Sequence, residues 1–365
     1  MATIKRKPTL TLNTNFEKNT KTYLLDIIYL FLSLLSSILE LGPVILLISK
    51  SMMPVEILGV ALTYQIGNLV ASTIRIDKRK VVALLFIAVV CVYLSSINWF
   101  LFYPTIMLLS LGLQKTRRFV AAINIETGVT TFSKRLVRIL GFALSGVISY
   151  RIFTLLAVGI LIITLIVALW RKESWVEKPT IRKPHWNPLA TVMVSHQSHY
   201  FSYTYFMPIL FIHYLHIPVS FVGLAFTVGW ISYALAEYLL GRLKSSIVFI
   251  WGHVVVAASL AIIATFYWRL TVVLFAWFIS GLGGGTVFCL TRLNKGLGNK
   301  GIEMDFWEDI GHVIGVFIAI AGIVLIPFNQ PMVPIYISAG IAVVTVILML
   351  QYETFPSNIA NTPKN

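Results

Sequence analysis

Charged side chains are scarce in this 365-residue sequence, at 12% of residues, and only 14 of them are acidic. Soluble domains carry about 25% charged and about 45–50% apolar residues. Here the apolar share is 58% and the mean hydropathy is +0.85, so a soluble globular chain is excluded. Cysteine is nearly absent too. Cys91 and Cys289 lie inside apolar runs with no CxxC or Cys/His pattern nearby, and read as packing residues rather than a disulfide or metal ligands. No HExxH, GxSxG or nucleophile-base constellation occurs, and Gly281-x-Gly283-Gly284-Gly285 lacks the Lys-Ser/Thr of a phosphate-binding loop. ATP-driven pumping therefore has no motif to rest on, and no cofactor is expected.

What the sequence has in quantity is long apolar runs. A bilayer core about 30 Å thick takes about 20 residues of helix. Twelve stretches meet that measure, at approximately 22–49, 55–75, 80–97, 98–115 or somewhat beyond, 135–150, 151–170, 188–214, 218–241, 246–267, 270–291, 306–327 and 332–350. The expected fold is an all-α membrane protein with twelve transmembrane helices. The first stretch is too long for a cleavable signal peptide and leads into a second span. The fifth and sixth meet at Ser149-Tyr150-Arg151 with no polar loop between them.

A net charge of +15 would suit a nucleic-acid partner, but the placement of the charges points to a bilayer instead. With the N-terminus cytoplasmic, 26 of the 29 Lys and Arg fall on cytoplasmic segments, and only Lys50, Arg151 and Arg269 fall outside. That alternation follows the positive-inside rule. It predicts a multi-pass protein of the cell (inner) membrane with both termini cytoplasmic. The domains expected are a tail at 1–21, a six-helix bundle at 22–170, a linker at 171–187, a second bundle at 188–350 and a tail at 351–365.

The two halves echo one another. Pro54-Val55-x3-Gly59-x-Ala61-x-Thr63 recurs 164 residues later as Pro218-Val219-x3-Gly223-x-Ala225-x-Thr227. A second echo, roughly 170 residues apart, sets Leu111-Gly112, Thr116, Asn124 and Gly141 against Leu282-Gly283, Thr286, Asn294 and Gly311. With six spans per half, such an echo means a parallel duplication about an axis along the membrane normal.

Between spans 2 and 3, Gly67-Asn68-Leu69 is followed by Arg75-Ile76-Asp77-Lys78-Arg79-Lys80, and Leu240-Gly241-Arg242-Leu243-Lys244 stands at the matching place in the second half. These are degenerate forms of the Gly-x-Leu-x-Asp-Arg-x-Gly-Arg-Arg-like loop of the major facilitator superfamily. In architecture, repeat and charge pattern the chain resembles that superfamily, most closely its bacterial efflux members. A Gly-Pro-x-x-Gly-Gly antiporter signature is not present in span 5, where Gly141-x4-Gly146 is the nearest feature. The resemblance implies that two bundles rock about a midplane site, with span 5 against span 8 and span 2 against span 11.

Ionisable groups in a bilayer core are expensive and mark pathways. Span 1 carries Asp26, Ser33, Ser37 and Glu40 within roughly 60° of helix surface, a stripe expected to face a central cavity. Asp26 reads equally as a solvated border residue, and Glu40 as a proton-coupling or cation-binding group. Gln65 and Asn68 have two readings, cavity lining or a bond to a neighbouring helix. Span 7 holds His196-Gln197-Ser198-His199-Tyr200-Phe201-Ser202-Tyr203, where His196, Tyr200 and Tyr203 share one side with His199 adjacent, a face suited to stacking and proton exchange. A metal held by His196 and His199 needs further ligands that the sequence does not identify, so no metal is assigned. His312, one turn beyond Glu308, is a candidate proton site or a packing residue. Arg117 and Arg118 read as surface anchors or as cavity cations.

Pro43 and Pro208 stand at matching depth in spans 1 and 7 and predict helix breaks there. From the resemblance, Arg138 is expected to pair with Glu237, and Arg75 with Glu308 or Asp309, as latches between the halves. The function expected is proton-coupled export of a small amphiphilic or zwitterionic solute, drug-like or metallophore-like, by a monomer in the lipid bilayer with no nucleic-acid partner. Nutrient import is the alternative. An enzyme centred on Glu303, Asp305, Glu308, Asp309 and His312 is the weaker one.

Overall fold

The computed structural model describes residues 12–123, 131–170, 186–298, 302–325 and 332–354. Asn124, most of the expected linker at 171–187 and most of both expected tails lie outside these residues. Twelve helices cover the described chain. The first six are α1 (Leu12–Ser49), α2 (Pro54–Thr73), α3 (Lys78–Leu94), α4 (Phe102–Ile123), α5 (Thr131–Ser145) and α6 (Tyr150–Trp170). The second six open with α7 (Pro188–Thr204), which carries on through the turns Met207–Ile209 and Leu210–Tyr214. Then come α8 (Val219–Leu240), α9 (Ser245–Thr265) and α10 (Leu270–Gly284). The last of these passes through a 3-10 turn into Phe288–Gly296. The final pair is α11 (Met304–Val324) and α12 (Val333–Thr354).

The distribution of side chains is inverted relative to a soluble protein. Phe86, Leu155, Leu169, Trp251 and Phe275 are exposed, while Ser36, Gln65, His196, Gln197 and His199 are buried. Apolar groups outside and polar groups inside are stable together only in lipid, where no water rewards an outward polar group. Eight of the helices are long and apolar enough to cross a membrane. The other four have identifiable reasons for falling short. α3 and α5 are 17 and 15 residues long, α4 carries Lys115, Arg117 and Arg118, and α7 breaks after 17 residues of mixed polarity.

Several boundaries differ from those read off the sequence. α4 takes the longer of the extents expected of it and runs on to Ile123, with Arg117 and Arg118 turned inward. α5 begins at Thr131 rather than 135 and ends at Ser145, a helical turn earlier than expected. Pro43 lies within an uninterrupted α1, whereas Pro208 falls where α7 breaks and re-forms as a π-helical turn. Asp77 caps α3, its Oδ1 accepting the Lys80 backbone N–H at 3.0 Å. That bond holds its carboxyl below the usual carboxylate range. The acidic residue of the degenerate loop motif thus serves as a helix cap.

The duplication is visible in which helix meets which. α1 packs on α5 as α7 packs on α11, α2 on α4 as α8 on α10, and α3 on α6 as α9 on α12. The seam between halves is made twice over, by α2 against α11 and by α5 against α8, two contacts that a pseudo-twofold axis interchanges. Echoed glycines sit at equivalent crossings. A Cβ on Gly141 of α5 would meet Ser37 of α1 at 2.6 Å, and one on Gly311 of α11 would meet Gln197 of α7 at 2.5 Å. α1 is the most enclosed helix, with 83% of its apolar window buried against 28% for α6, so α1 is central and α6 peripheral.

At the α5 and α8 seam the backbones nearly touch. A Cβ on Gly223 would lie 2.6 Å from the Ala143 carbonyl and 2.8 Å from the Gly146 nitrogen, neither of which is the end of a flexible side chain. Gly223→Val is therefore expected to force the seam apart, at about 1–3 kcal/mol. Gly159→Ala, with no atom of the described residues within 4 Å of its Cβ, should be neutral or mildly stabilising. Thermal unfolding of the two purified variants in detergent checks the contrast; equal losses would contradict the seam.

Candidate functional site

Polar faces from both halves close around one cavity of about 150 Å³. From the first half it receives Glu40, Tyr64, Gln65, Asn68, Gln114, Arg117, Arg118 and Arg138. The second half supplies Gln197, Tyr200, Phe201, Trp230, Tyr233, Asp305, Glu308, Asp309 and His312. Asp305, whose side chain is exposed, marks its mouth at the end of the bundle where the basic segments gather. Beneath the opposite end, Tyr205, Phe206, Phe211, Phe226 and Phe142 are fully or almost fully buried and form an aromatic floor.

The first-half wall is a chain of hydrogen bonds. Ser110 donates to Asn68 Oδ1 at 2.6 Å, Asn68 Nδ2 to Gln65 Oε1 at 3.1 Å, and Gln65 Nε2 to the Tyr205 hydroxyl at 2.6 Å. The last bond crosses from α2 to the broken end of α7, so Gln65 both lines the cavity and ties the halves together. Tyr64 and Ser36 bond each other at 3.1 Å, and Gln114 reaches the Ser36 hydroxyl at 3.4 Å.

The second-half wall is a relay of alternating donors and acceptors. Gln197 Nε2 donates to Glu308 Oε1 at 2.8 Å, which leaves the Gln197 oxygen to accept from His312 Nε2 at 3.2 Å. That bond sets the neutral His312 tautomer, with Nδ1 bare and 3.9 Å from Asp309 Oδ1. Among the described residues, His312 Nδ1, Asp309 Oδ2 and Trp230 Nε1 are buried cavity atoms without a hydrogen-bond partner.

Charges of both signs meet across this space. Arg138 pairs with the buried Glu40 at 2.9 Å and lays its guanidinium over the Trp230 ring at 4.5 Å. Such stacking suits arginine better than lysine. Arg118 stands 3.6 Å from Asp309 and 3.9 Å from Asp305, joining α4 to α11. Arg135 pairs with Glu237 at 2.5 Å and donates to the Ala234 carbonyl at 3.0 Å, joining α5 to α8. Arg292 approaches Glu237 from its own half at 3.8 Å.

The structure joins the expected helices through different residues. Arg138 meets Glu40 rather than Glu237, because α5 starts a turn early and brings Arg135, one turn nearer the basic end, to Glu237. Arg75 is exposed beyond the end of α2, which stops at Thr73, and the extended α4 instead delivers Arg118 to Asp309. Arg117 and Arg118 line the cavity rather than anchoring the surface. Their signal was available: Ser110, Gln114, Arg117 and Arg118 recur at helical spacing, a polar stripe on one face.

Span 7 is divided differently from the expected face. Gln197, Tyr200 and Phe201 point into the cavity, while His196, His199 and Tyr203 lie about 120° around the helix, packed inside the second bundle. Tyr203 sits edge-on to Trp277 and His199 against His253, a residue that nothing in its sequence neighbourhood singles out. Trp230 and Tyr233 were also missed; with Glu237 they form an i, i+3, i+7 face on α8.

Neither a protein-family model nor a curated protein sequence matches the chain. Solved structures do. The nucleoside transporter NupG matches with TM-score 0.64 at 14% identity, covering 91% of this chain and 99% of that one. The human organic anion transporter MFSD10 matches with TM-score 0.58 at 12% identity, covering 89% and 98%. A bacterial homologue of the iron transporter ferroportin matches in its inward-facing state with TM-score 0.62 at 14% identity, covering 90% and 98%. The chain has the major facilitator fold. The outward-facing state of that ferroportin homologue fits less well, with TM-score 0.54 at 15% identity, over 90% and 99%.

A double-mutant cycle separates the observed latch from the expected one. Arg135 and Glu237 are both partly exposed, so their coupling should be about 0.5–1 kcal/mol in thermal unfolding. A cycle on Arg138 and Glu237 should give a value near zero. The reverse order would overturn the assignment.

Proposed function

We propose that the protein is a secondary transporter that moves a small zwitterionic or amphiphilic solute outward by alternating access, in exchange for protons. The observation that carries this reading is a cavity walled by both halves with opposite charges facing one another. Rocking of the halves about α2 with α11 and α5 with α8 exposes such a cavity to either side in turn. Arg138, Arg117 and Trp230 Nε1 offer donors to an anionic group; Glu308, Asp309 Oδ2 and His312 Nδ1 offer acceptors to a cationic one. Tyr200, Phe201 and Tyr233 supply flat apolar surface between them.

Proton coupling is assigned to the Glu308, Gln197, His312 and Asp309 relay. It joins two carboxylates and an imidazole through one amide, so a proton taken by one member shifts the bonds of the others. The pairs Arg135 with Glu237 and Arg118 with Asp309 bridge the seam beside the cavity mouth at the basic end, which the charge pattern assigns to the cytoplasm, and exchange as the halves rock. Three transporters with this fold move an organic anion, iron or a nucleoside according to their names, solutes that differ in both size and charge. The charges of this cavity select a solute carrying both signs.

Proteoliposomes with an imposed pH gradient test the proposal when screened with small zwitterionic compounds. Solute flux opposite to proton flux is expected, falling on the order of tenfold in Arg138→Ala, a loss of about 1.4 kcal/mol. Glu308→Gln should weaken solute exchange and abolish the pH dependence of what remains. Flux of solute and protons in the same direction would overturn export, and product formation without flux would overturn transport.

A further inference from the structure

Three histidines from two helices converge inside the second bundle, away from the cavity lining. His196 and His199 come from α7 and His253 from α9, and all three are at most 1% exposed. Their ring centroids stand 5.0, 5.1 and 5.3 Å apart, an almost equilateral triangle. One nitrogen of each lies within 4.8 Å of the others. The bonds within the triangle are incomplete. His253 Nδ1 donates to the Phe249 carbonyl at 2.8 Å, which fixes its tautomer and turns a bare Nε2 towards His196 Nδ1, also at 2.8 Å. His199 is fully buried with neither nitrogen bonded to any described group. An orphaned buried polar atom costs about 1–3 kcal/mol, and here one ring carries two.

We propose that His196, His199 and His253 form a binding site for a late first-row transition-metal ion. Imidazole nitrogens suit zinc, copper, iron and nickel. Metal-bound histidines usually give their second N–H to a carbonyl or carboxylate, as His253 already does to Phe249. Metal–nitrogen bonds of about 2.0–2.1 Å place ligand nitrogens about 3.4 Å apart, so small ring rotations complete the site. His196 then carries its proton on Nε2 and presents Nδ1, and His199 gains the partner it lacks. No carboxylate belongs to the group, so three neutral ligands leave the charge of the ion uncompensated. Charging cost in a low-dielectric interior rises with the square of the charge, which favours copper(I) over the divalent ions. The ion ties α7 to α9 within one half and leaves the seam between the halves free.

Protein purified without a polyhistidine tag, equilibrated separately with copper(I) under reducing conditions and with zinc(II), then desalted, gives the metal content per chain. One equivalent of either ion is expected, copper(I) with the higher affinity. Metal content should fall to background in His199→Leu and in His253→Leu, and the metal-induced rise in unfolding temperature should disappear with it. X-ray absorption of the wild-type complex should show three imidazole nitrogens at about 2.0 Å, which keeps the test decisive if the variants fold poorly. Binding of neither ion, binding that survives both substitutions, or an absorption spectrum without imidazole scattering would overturn the site.

Discussion

A charge inside a lipid-surrounded bundle has to find an opposite charge or a set of hydrogen bonds, because hydrocarbon offers it neither. Much of this structure follows from that constraint. Glu40 is buried in the most central helix, and Arg138 answers it from α5. Asp309 is buried near the mouth, and Arg118 answers it across the seam. Each pair needs the helices that carry it to stand side by side, so the charges that wall the cavity also set the packing around it. The uncharged polar groups obey the same rule through the Ser110, Asn68, Gln65 and Tyr205 chain, which ends on the opposite half.

Pairs made across the seam differ in kind from pairs made within a half. Arg138 with Glu40 holds α5 to α1 whatever the two halves do. Arg135 with Glu237, Arg118 with Asp309, and Gln65 with Tyr205 must break or re-form if the halves rock. Partly exposed ion pairs are worth little individually, which suits contacts that have to exchange. The glycine contact of α5 with α8 supplies a smooth pivot surface instead of interlocked side chains.

The fold was legible because its signals are long-range and redundant: apolar runs, the placement of basic residues, and the Pro-Val-x3-Gly-x-Ala-x-Thr echo. The site was legible as helices rather than as residues. The α5 with α8 contact was foreseen, but a helix start at Thr131 instead of 135 put Arg135 rather than Arg138 opposite Glu237. A span is found by its apolar length, and length is insensitive to a shift of one turn that decides which side chain reaches across. Arg117 and Arg118 read equally as surface anchors or cavity cations because positive charge usually ends a span; here the helix continues, and Arg118 meets carboxylates from α11. His253 was invisible because its partners are 57 and 54 residues away and nothing local marks it.

The central claim is that the halves move against one another about the α5 with α8 and α2 with α11 contacts. Pulsed electron paramagnetic resonance measures it directly in a background without Cys91 and Cys289. One pair of spin labels sits at exposed positions 136 and 238 near the basic end, and another at 147 and 221 near the opposite end. The account predicts two distance populations at each end, with the wide population at one end accompanying the narrow one at the other as pH or solute is changed. A single distance at both ends under all conditions would contradict it.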